Sequence, residues 1–458
     1  MHDLPLSGIR VLDLTRAYAG PVGTLYLADL GADVVKVEAA GRPDVPTRYI
    51  NPADSDPGEK PWERAAYFHR LNVGKRDITL DLTTESGKVV FKQLVAHCDV
   101  VAENYNPQTM GRFGLGYEVL REINPGLIMV SMSGFGADGP RRHWAAYYPA
   151  MEGMAGLTSI TGYESGETLS SLTGYGDWAL GTVGAMAVLA ALQHRDRTGE
   201  GQWIDVSGRD AILSGIGEAI VDHAVNHRSW KPNGNSTPGM APHDTYRCRG
   251  PDSWLAITVR NDDDWRAFCQ VLGDPSWVRE EKYSDAQRRE QNQNAMRSHI
   301  EQWTSRQDKH AAAMALLNAG IPAAPVLSPG ETLYDPQLKA RGYFEVIRHP
   351  EVGQRIFPRQ VSACYSGFAH KQRSHSPTLG QHNHEVLESV LGLSASEIES
   401  LESSGILGSV PTRPSRRPPE PSAESLRRRG AEVDDRYLEN LSRFYGVAIG
   451  NESSKDST

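Results

Sequence analysis

At 458 residues, with 39% hydrophobic and 23% charged residues, the chain has the make-up of a globular protein long enough for two or three domains. Its formal net charge of −9 excludes a general nucleic-acid binder, which needs a basic face, but leaves room for a phosphorylated small molecule in a local basic pocket. Nothing near Met1 resembles a signal peptide, no apolar run is long enough to span a bilayer, and Cys98, Cys248, Cys269 and Cys364 form no CxxC pair. The expectation is a cytoplasmic protein without a membrane anchor or a metal site.

Gly8 to Leu14 reads as a buried strand, Thr15 to Pro21 as the loop after it, and a short helix through Leu25, Leu27 and Leu30 stops at Gly31. With the strand Val34 to Glu38 this makes a βαβ unit, whose ligand end is the carboxyl end of its strands. Residues 41–70, rich in Pro, Asp and Gly, read as a long surface loop. Strands follow at Lys75 to Leu82, Asp99 to Glu103 and Leu127 to Ser131, alternating with helical stretches, which predicts a parallel, doubly wound sheet. Gly134-Phe135-Gly136-Ala137-Asp138-Gly139 matches GxGxxG after a strand, the mark of a dinucleotide site in an NAD-dependent oxidoreductase; Pro140 and two arginines follow at once, where such a site needs a helix.

The stretch Thr173 to Ser207 is the centre of the chain. After Gly174 and Gly176, Asp177 opens about five turns of helix built from Ala, Gly, Leu, Val and Met, a composition that predicts burial, before the strand Gln202 to Val206. An aspartate there is ordinarily an N-cap; the same place also holds a carboxylate charged near backbone N–H groups. The expected architecture is a large α/β, Rossmann-like domain over residues 1–225, a linker at 226–242, a small α+β domain at 243–325, a return to the large domain at 326–409, and a polar, Arg- and Pro-rich tail at 410–458 with one amphipathic helix near Tyr437 to Tyr445. The tail arginines, Arg413, Arg416, Arg417 and Arg427 to Arg429, read as solvated. His370, His375, His382 and His384 cluster without carboxylates at ligand spacing.

Several of these segments together resemble the family III coenzyme A transferases, the CaiB/BaiF family, from about Leu6 to Gly408. The motifs, in the family's order, include Gly8 to Leu14, Ala19-Gly20-Pro21, Leu27 to Glu38, Lys75 to Leu82, Glu103 to Pro107, Gly114 to Tyr117, Arg195 to Gln202, Gly320-Ile321-Pro322 and Leu379 to His382. The resemblance implies that Asp177 is a nucleophile: it attacks an acyl-CoA thioester to give a mixed anhydride and CoA thiolate, the thiolate returns to form an aspartyl-CoA thioester, and an acceptor carboxylate resolves it. The Gly-rich turn would admit the thioester and offer N–H groups to the oxyanion.

CoA and acyl-CoA are then substrates, with no permanently bound cofactor, and the partners are a carboxylic acid and a second copy in an interlocked homodimer. The same resemblance implies that Ala17 and Tyr18 line the CoA path, that Leu80, Asn104 and Tyr105 hold adenine or pantetheine, and that Lys75, Arg76 and Arg112 meet phosphates. Ser133 and Gly136 would belong to a backbone wall near the thiol. Pro238-Gly239-Met240 would form a lid. Two positions depart from the family: Ala39 stands where many relatives carry a phosphate-binding arginine, with Arg42 nearby, and Ala146-Tyr147-Tyr148 replaces the Gly-His-Asp of the racemases, favouring transfer over epimerisation. The other readings are an acyl-CoA racemase, an NAD-dependent oxidoreductase and a non-catalytic acyl-CoA binder. Trp144, Tyr147, Tyr148, Tyr163, Tyr175 and Trp178 are either acyl-pocket or core aromatics.

Overall fold

Six short runs of mostly aliphatic residues form β1 (Arg10–Asp13), β2 (Asp33–Glu38), β3 (Arg76–Thr79), β4 (Val100–Glu103), β5 (Ile128–Ser133) and β6 (Gln202–Ser207), paired in parallel in the order β3-β2-β1-β4-β5-β6. The inner strands read as near-continuous apolar runs because helices cover both faces. In the computed structural model, which describes residues 4–44, 47–163, 166–171, 174–369, 373–413, 423–428 and 433–450, this sheet belongs to a unit made of residues 1–157, 170–228 and 336–458. A second unit, residues 158–169 and 229–335, has an antiparallel sheet of β7 (His243–Arg247), β8 (Trp254–Thr258) and β9 (Ala323–Pro325) with helices around its own core. The expected α/β domain and smaller α+β domain are both present.

The helices of the first unit up to residue 226 are α1 (Ala19–Asp29), α2 (Ala66–Asn72), α3 (Glu85–Val95), α4 (Thr109–Phe113), α5 (Tyr117–Ile123), α6 (Tyr148–Ala155), α7 (Leu157–Ile160, whose last three residues belong to the second unit), α8 (Tyr175–Thr198), α9 (Gly208–Ser214) and α10 (Gly217–Asn226). α1 is longer than its apolar pattern predicts and starts at Ala19, within the expected loop. The reason lies in α8. A Cβ on Gly181 would stand 2.3 Å from the Ala19 carbonyl oxygen, and one on Gly23 would stand 2.9 Å from the Gly181 carbonyl oxygen. The two helices thus meet backbone to backbone, and small residues on both are the condition for that approach.

α8 itself runs 24 residues, and its first residue is Tyr175, capped by Gly174 in the left-handed region (φ 68°). Asp177 is therefore the third helical residue and not the opening one. The expectation of full burial is also corrected: Gly176, Ala179, Leu180, Gly181, Gly184, Ala185, Val188, Ala191 and Leu192 are buried, whereas Trp178, Met186 and Leu189 are exposed. The expectation that no apolar run is long enough to span a bilayer is corrected here: by length and composition alone α8 could cross one, yet half of its apolar window is packed inside the protein.

Residues 41–70 are not a surface loop. Arg48 is fully buried there, with Glu38 at 2.6 Å, Glu63 at 3.1 Å and Asp77 at 3.6 Å, and its guanidinium lies 3.7 Å from the Phe68 ring centre. Polar composition concealed a buried charge network, which is costly to desolvate and holds only because each charge is paired. Residues 336–409 return to this unit: Gly380 N–H donates to Asp77 Oδ1 (2.6 Å) and Thr79 N–H to Asn383 Oδ1 (2.8 Å), at the β3 edge. The amphipathic C-terminal helix, Tyr437–Tyr445, buries Leu441 and bonds Asp54 through the Tyr437 hydroxyl. Arg416, Arg417, Arg429 and His370 lie outside the described residues.

Candidate active site

The strand order reverses direction between β1 and β4, so the chain leaves these neighbours to opposite sides and opens a crevice at their carboxyl ends, the usual ligand position in such sheets. Two loops border it, and one side chain ties them together. Asn104 Oδ1 accepts Arg16 N–H at 2.7 Å while its Nδ2 donates to the Arg16 carbonyl at 2.8 Å. Ala17 is bent to a positive φ of 60°, a conformation that costs a non-glycine residue about 1 kcal/mol.

A cavity of about 340 Å³ occupies the crevice, lined among others by Ala17, Tyr18, Asn104, Tyr105, Ser133 and Asp177. Beside it, a cavity of about 230 Å³ is lined by Leu80, Ala39 and Arg42 and shares Arg16 and Tyr105 with the first. Seven residues expected at a site from the sequence are thus gathered in two adjoining compartments. Arg42 lines the compartment whose wall includes Ala39.

Four expected residues stand elsewhere. Lys75 is fully buried, donating to Asp13 Oδ2 (3.0 Å), Thr24 Oγ1 (2.8 Å) and Asn72 Oδ1 (3.0 Å). Burial pulls its pKa down to about 8 against the pull of Asp13; this amine supports the loop after β1 and is not open to a phosphate. Arg76 begins β3, at the amino end of the parallel strands, and pairs with Asp33 (2.5 Å) and Glu385 (3.1 Å). Arg112 is exposed on α4 and donates to Gln108 Oε1 (2.6 Å); Thr109 and Phe113 of that helix line the smaller cavity. Gly136 faces β6: a Cβ there would lie 3.4 Å from Asp205 Oδ2, so the cavity wall is Gly134 and Phe135 instead. The next helix after Gly139 is α6 at Tyr148, so the helix that a dinucleotide turn requires is missing.

Asp177 lies at the cavity wall with no ion-pair partner among the described residues. Burial, and after it the like charge of Glu152, push its pKa up to about 6. The carboxylate expected to be held charged at the helix start is more basic than an ordinary aspartate, because desolvation and a neighbouring carboxylate outweigh the first-turn dipole, and it still ionises below neutral pH. The glycine turn is also less open than expected. Ser171 Oγ accepts the Tyr175 N–H (3.1 Å) and Glu152 Oε1 the Gly176 N–H (3.3 Å), so neither is free for an oxyanion. Gly176 packs against Ile212, 2.9 Å from a Cβ, and faces away from the cavity.

Of the aromatic residues, Trp144 and Tyr147 line the cavity and are exposed. Tyr148 is the first residue of α6; Tyr175 and Trp178 lie exposed on α8, and Tyr163 lies in the second unit. Pro238-Gly239-Met240 forms a turn in that second unit, with Gly239 N–H donating to Glu290 Oε2 (3.1 Å). The histidines are dispersed: His375 contacts the Ser376 carbonyl, His382 accepts Asp77 N–H, and His384 contacts Glu402. Sequence reasoning passed over Glu152, Arg16 and Arg142. Glu152 carried a usable signal, as the one charge in the otherwise apolar helix Tyr148–Ala155.

A parallel sheet with a crevice at its reversal point, walled by the first turn of a small-residue helix, is the ligand-binding setting of a doubly wound α/β enzyme. The profile of CoA-transferase family III matches residues 6–383, and the chain belongs to that family. It is 34% identical over 398 residues to a succinate–glutarate CoA-transferase of Agrobacterium fabrum, covering 87% of this chain and 96% of the relative. It is 33% identical over 400 residues to a succinyl-CoA:mesaconate CoA-transferase of Haloarcula hispanica, covering 86% and 99%. A solved CaiB/BaiF family protein from Brucella suis superimposes with a TM-score of 0.78 at 33% identity, covering 85% of this chain and all of that one. The protein is an enzyme of the CoA-transferase class.

Proposed function

We propose that the protein moves CoA from an acyl-CoA to a free carboxylic acid through covalent intermediates on Asp177. Asp177 Oδ attacks the thioester carbonyl and expels CoA thiolate, leaving an acyl–aspartyl anhydride. The thiolate attacks the aspartyl carbonyl, releasing the donor acid and leaving an aspartyl-CoA thioester. The acceptor carboxylate attacks that thioester, and the thiolate then takes the acceptor acyl group and frees Asp177. The observation that carries this reading is a carboxylate without an ion-pair partner, more basic than an ordinary aspartate yet mostly ionised at neutral pH, at the wall of the crevice. The larger cavity suits the acyl and thiol end of the substrate, and the smaller one, with Leu80 and Arg42, the nucleotide end. Incubation with succinyl-CoA and hydroxylamine is the test: a hydroxamate on the Asp177 peptide is expected, and an unmodified Asp177 with transfer still running would sink the mechanism.

Dicarboxylic acids are the substrate class favoured here. The relatives named above act on succinate, glutarate and mesaconate, and one cation supports carrying that over. Arg142 lines the cavity with Asp177, donates weakly to the Gly139 carbonyl (3.4 Å) and has no carboxylate partner among the described residues. A guanidinium so placed suits the distal carboxylate. Arg142→Gln should raise KM for glutarate about tenfold, roughly the worth of one charge-assisted hydrogen bond, and leave KM for butyrate unchanged. An equal rise in KM for acyl-CoA with every acceptor would instead place Arg142 on CoA. A second copy in an interlocked dimer is a further part of this reading, supported by the exposed Trp178, Met186 and Leu189 on α8 and tested by solution mass.

A further inference from the structure

We propose that Glu152 is the positioning residue of the nucleophile, tying Ser170 and Ser171 to the first turn of α8, which carries Asp177, and supplying the negative charge that keeps it reactive; the inference rests on Asp177 being the nucleophile. Glu152 is fully buried on α6. Among the described residues it has no cation partner, and its two oxygens are met by four donors: Ser170 Oγ at 2.7 Å, Ser171 Oγ at 2.5 Å, Ser171 N–H at 3.0 Å and Gly176 N–H at 3.3 Å. Ser171 Oγ in turn accepts the Tyr175 N–H. One carboxylate therefore ties Ser170 and Ser171 to the first turn of α8, directly at Gly176 and through Ser171 at Tyr175. A buried acidic residue with this many donors is a built feature, since an unpaired carboxylate would not be tolerated there.

The donors also keep it ionised. Burial pushes the Glu152 carboxyl upward, but the Ser171 and Ser170 hydroxyls and the two N–H groups outweigh it and leave it below the ordinary glutamate value. Its charge stays beside Asp177 without a cation to cancel it. The other titratable groups that face Asp177 are the phenols of Tyr18, from the chain after β1, and Tyr67, from α2; burial raises both, so they remain neutral. The cations of the same cavity are Arg142 and Arg16, and Arg16 donates to the Pro43 carbonyl with Asp44 4.0 Å away. Glu152 thus raises the proton affinity, and with it the nucleophilicity, of Asp177, while the serines absorb the local cost of its charge.

The test uses the full-length protein with succinyl-CoA as donor and glutarate as acceptor. Glu152→Gln keeps size and removes the charge; its amide nitrogen, set toward the weaker 3.3 Å contact, loses the Gly176 N–H, while the Ser171 hydroxyl on that side can reverse and the oxygen side keeps Ser170 Oγ and Ser171 N–H. Its expected effect is a kcat lowered about tenfold, KM for succinyl-CoA unchanged, and the acid limb of kcat/KM moved down by about half a pH unit, in the direction that loss of a like charge dictates. Ser171→Ala should lower kcat without moving the limb. An unmoved limb in Glu152→Gln, whether kcat holds or falls together with the melting temperature, overturns the inference. The hydroxamate separates the two levels: if it forms on Asp177 and the limb does not move, only the role of Glu152 fails. If the unaltered protein forms no hydroxamate or transfers nothing from this pair, the reading of Asp177 fails first.

Discussion

The second unit holds a larger cavity, about 730 Å³, than the crevice of about 340 Å³ that contains Asp177. The larger one is walled by polar groups that satisfy each other: Arg297 pairs with Asp244 and Glu301, donates to the Thr245 carbonyl and covers the Tyr246 ring. The smaller one keeps a carboxylate that no cation among the described residues meets, with another carboxylate behind it. Charges already paired have little left to offer a ligand, whereas an unpaired one stores the reactivity that a covalent step uses. On the proposed mechanism, reactivity follows the state of the charges, not the size of the space.

The strongest way to break this comparison is Asp177→Asn. The proposed mechanism expects turnover to fall at least about a thousandfold, as for other covalent nucleophiles, with acyl-CoA binding retained by calorimetry. Next comes the paired charge in its most buried form. Arg48→Met leaves Glu38, Glu63 and Asp77 uncompensated and should cost about 3–5 kcal/mol in denaturant unfolding.

Asp177→Asn should move stability the opposite way. A carboxyl whose folded pKa lies above its unfolded value is favoured while protonated, and that advantage is lost as pH rises from about 4 through about 6. Removing the charge should therefore stabilise the free protein by about 1–3 kcal/mol at pH 8 and by almost nothing at pH 4. A variant equally stable at both pH values would show that Asp177 is not strained by its surroundings. The smallest effect is expected at Arg297→Gln, a half-exposed pair worth about 1 kcal/mol or less, with transfer rates kept within twofold.

The elements most legible in the sequence were those where one pattern has one structural outcome. The aliphatic runs of β1, β2, β4 and β5 announced a parallel sheet buried on both faces, and the amphipathic C-terminal helix was read from local chemistry. Asp177 stood out because a charge at the start of a long apolar helix is rare. The start of α1 was not legible, since Gly20, Pro21 and Gly23 resemble a loop until Gly181 approaches them. Arg48 was hidden within a polar stretch because its partners Glu38, Glu63 and Asp77 come from separate segments.

The site divides in the same way. Motif order pointed to Ala17, Tyr18, Asn104, Tyr105, Ser133, Leu80 and Asp177, which line the two cavities because they stand at or near the carboxyl ends of the strands or at the start of α8. Lys75 and Arg76 were misassigned because a basic residue in a strand motif has the same sequence signature whether it faces a ligand or an internal carboxylate. Asp13 and Asp33 decide that, from 62 and 43 residues away. The sheet, the long small-residue helix that carries Asp177 and the family were settled by the sequence alone, because local pattern and motif order suffice for them. Which charges are spent on each other, and that burial and Glu152 leave Asp177 the more basic, came only with the tertiary structure, because burial and pairing are properties of groups distant in the chain.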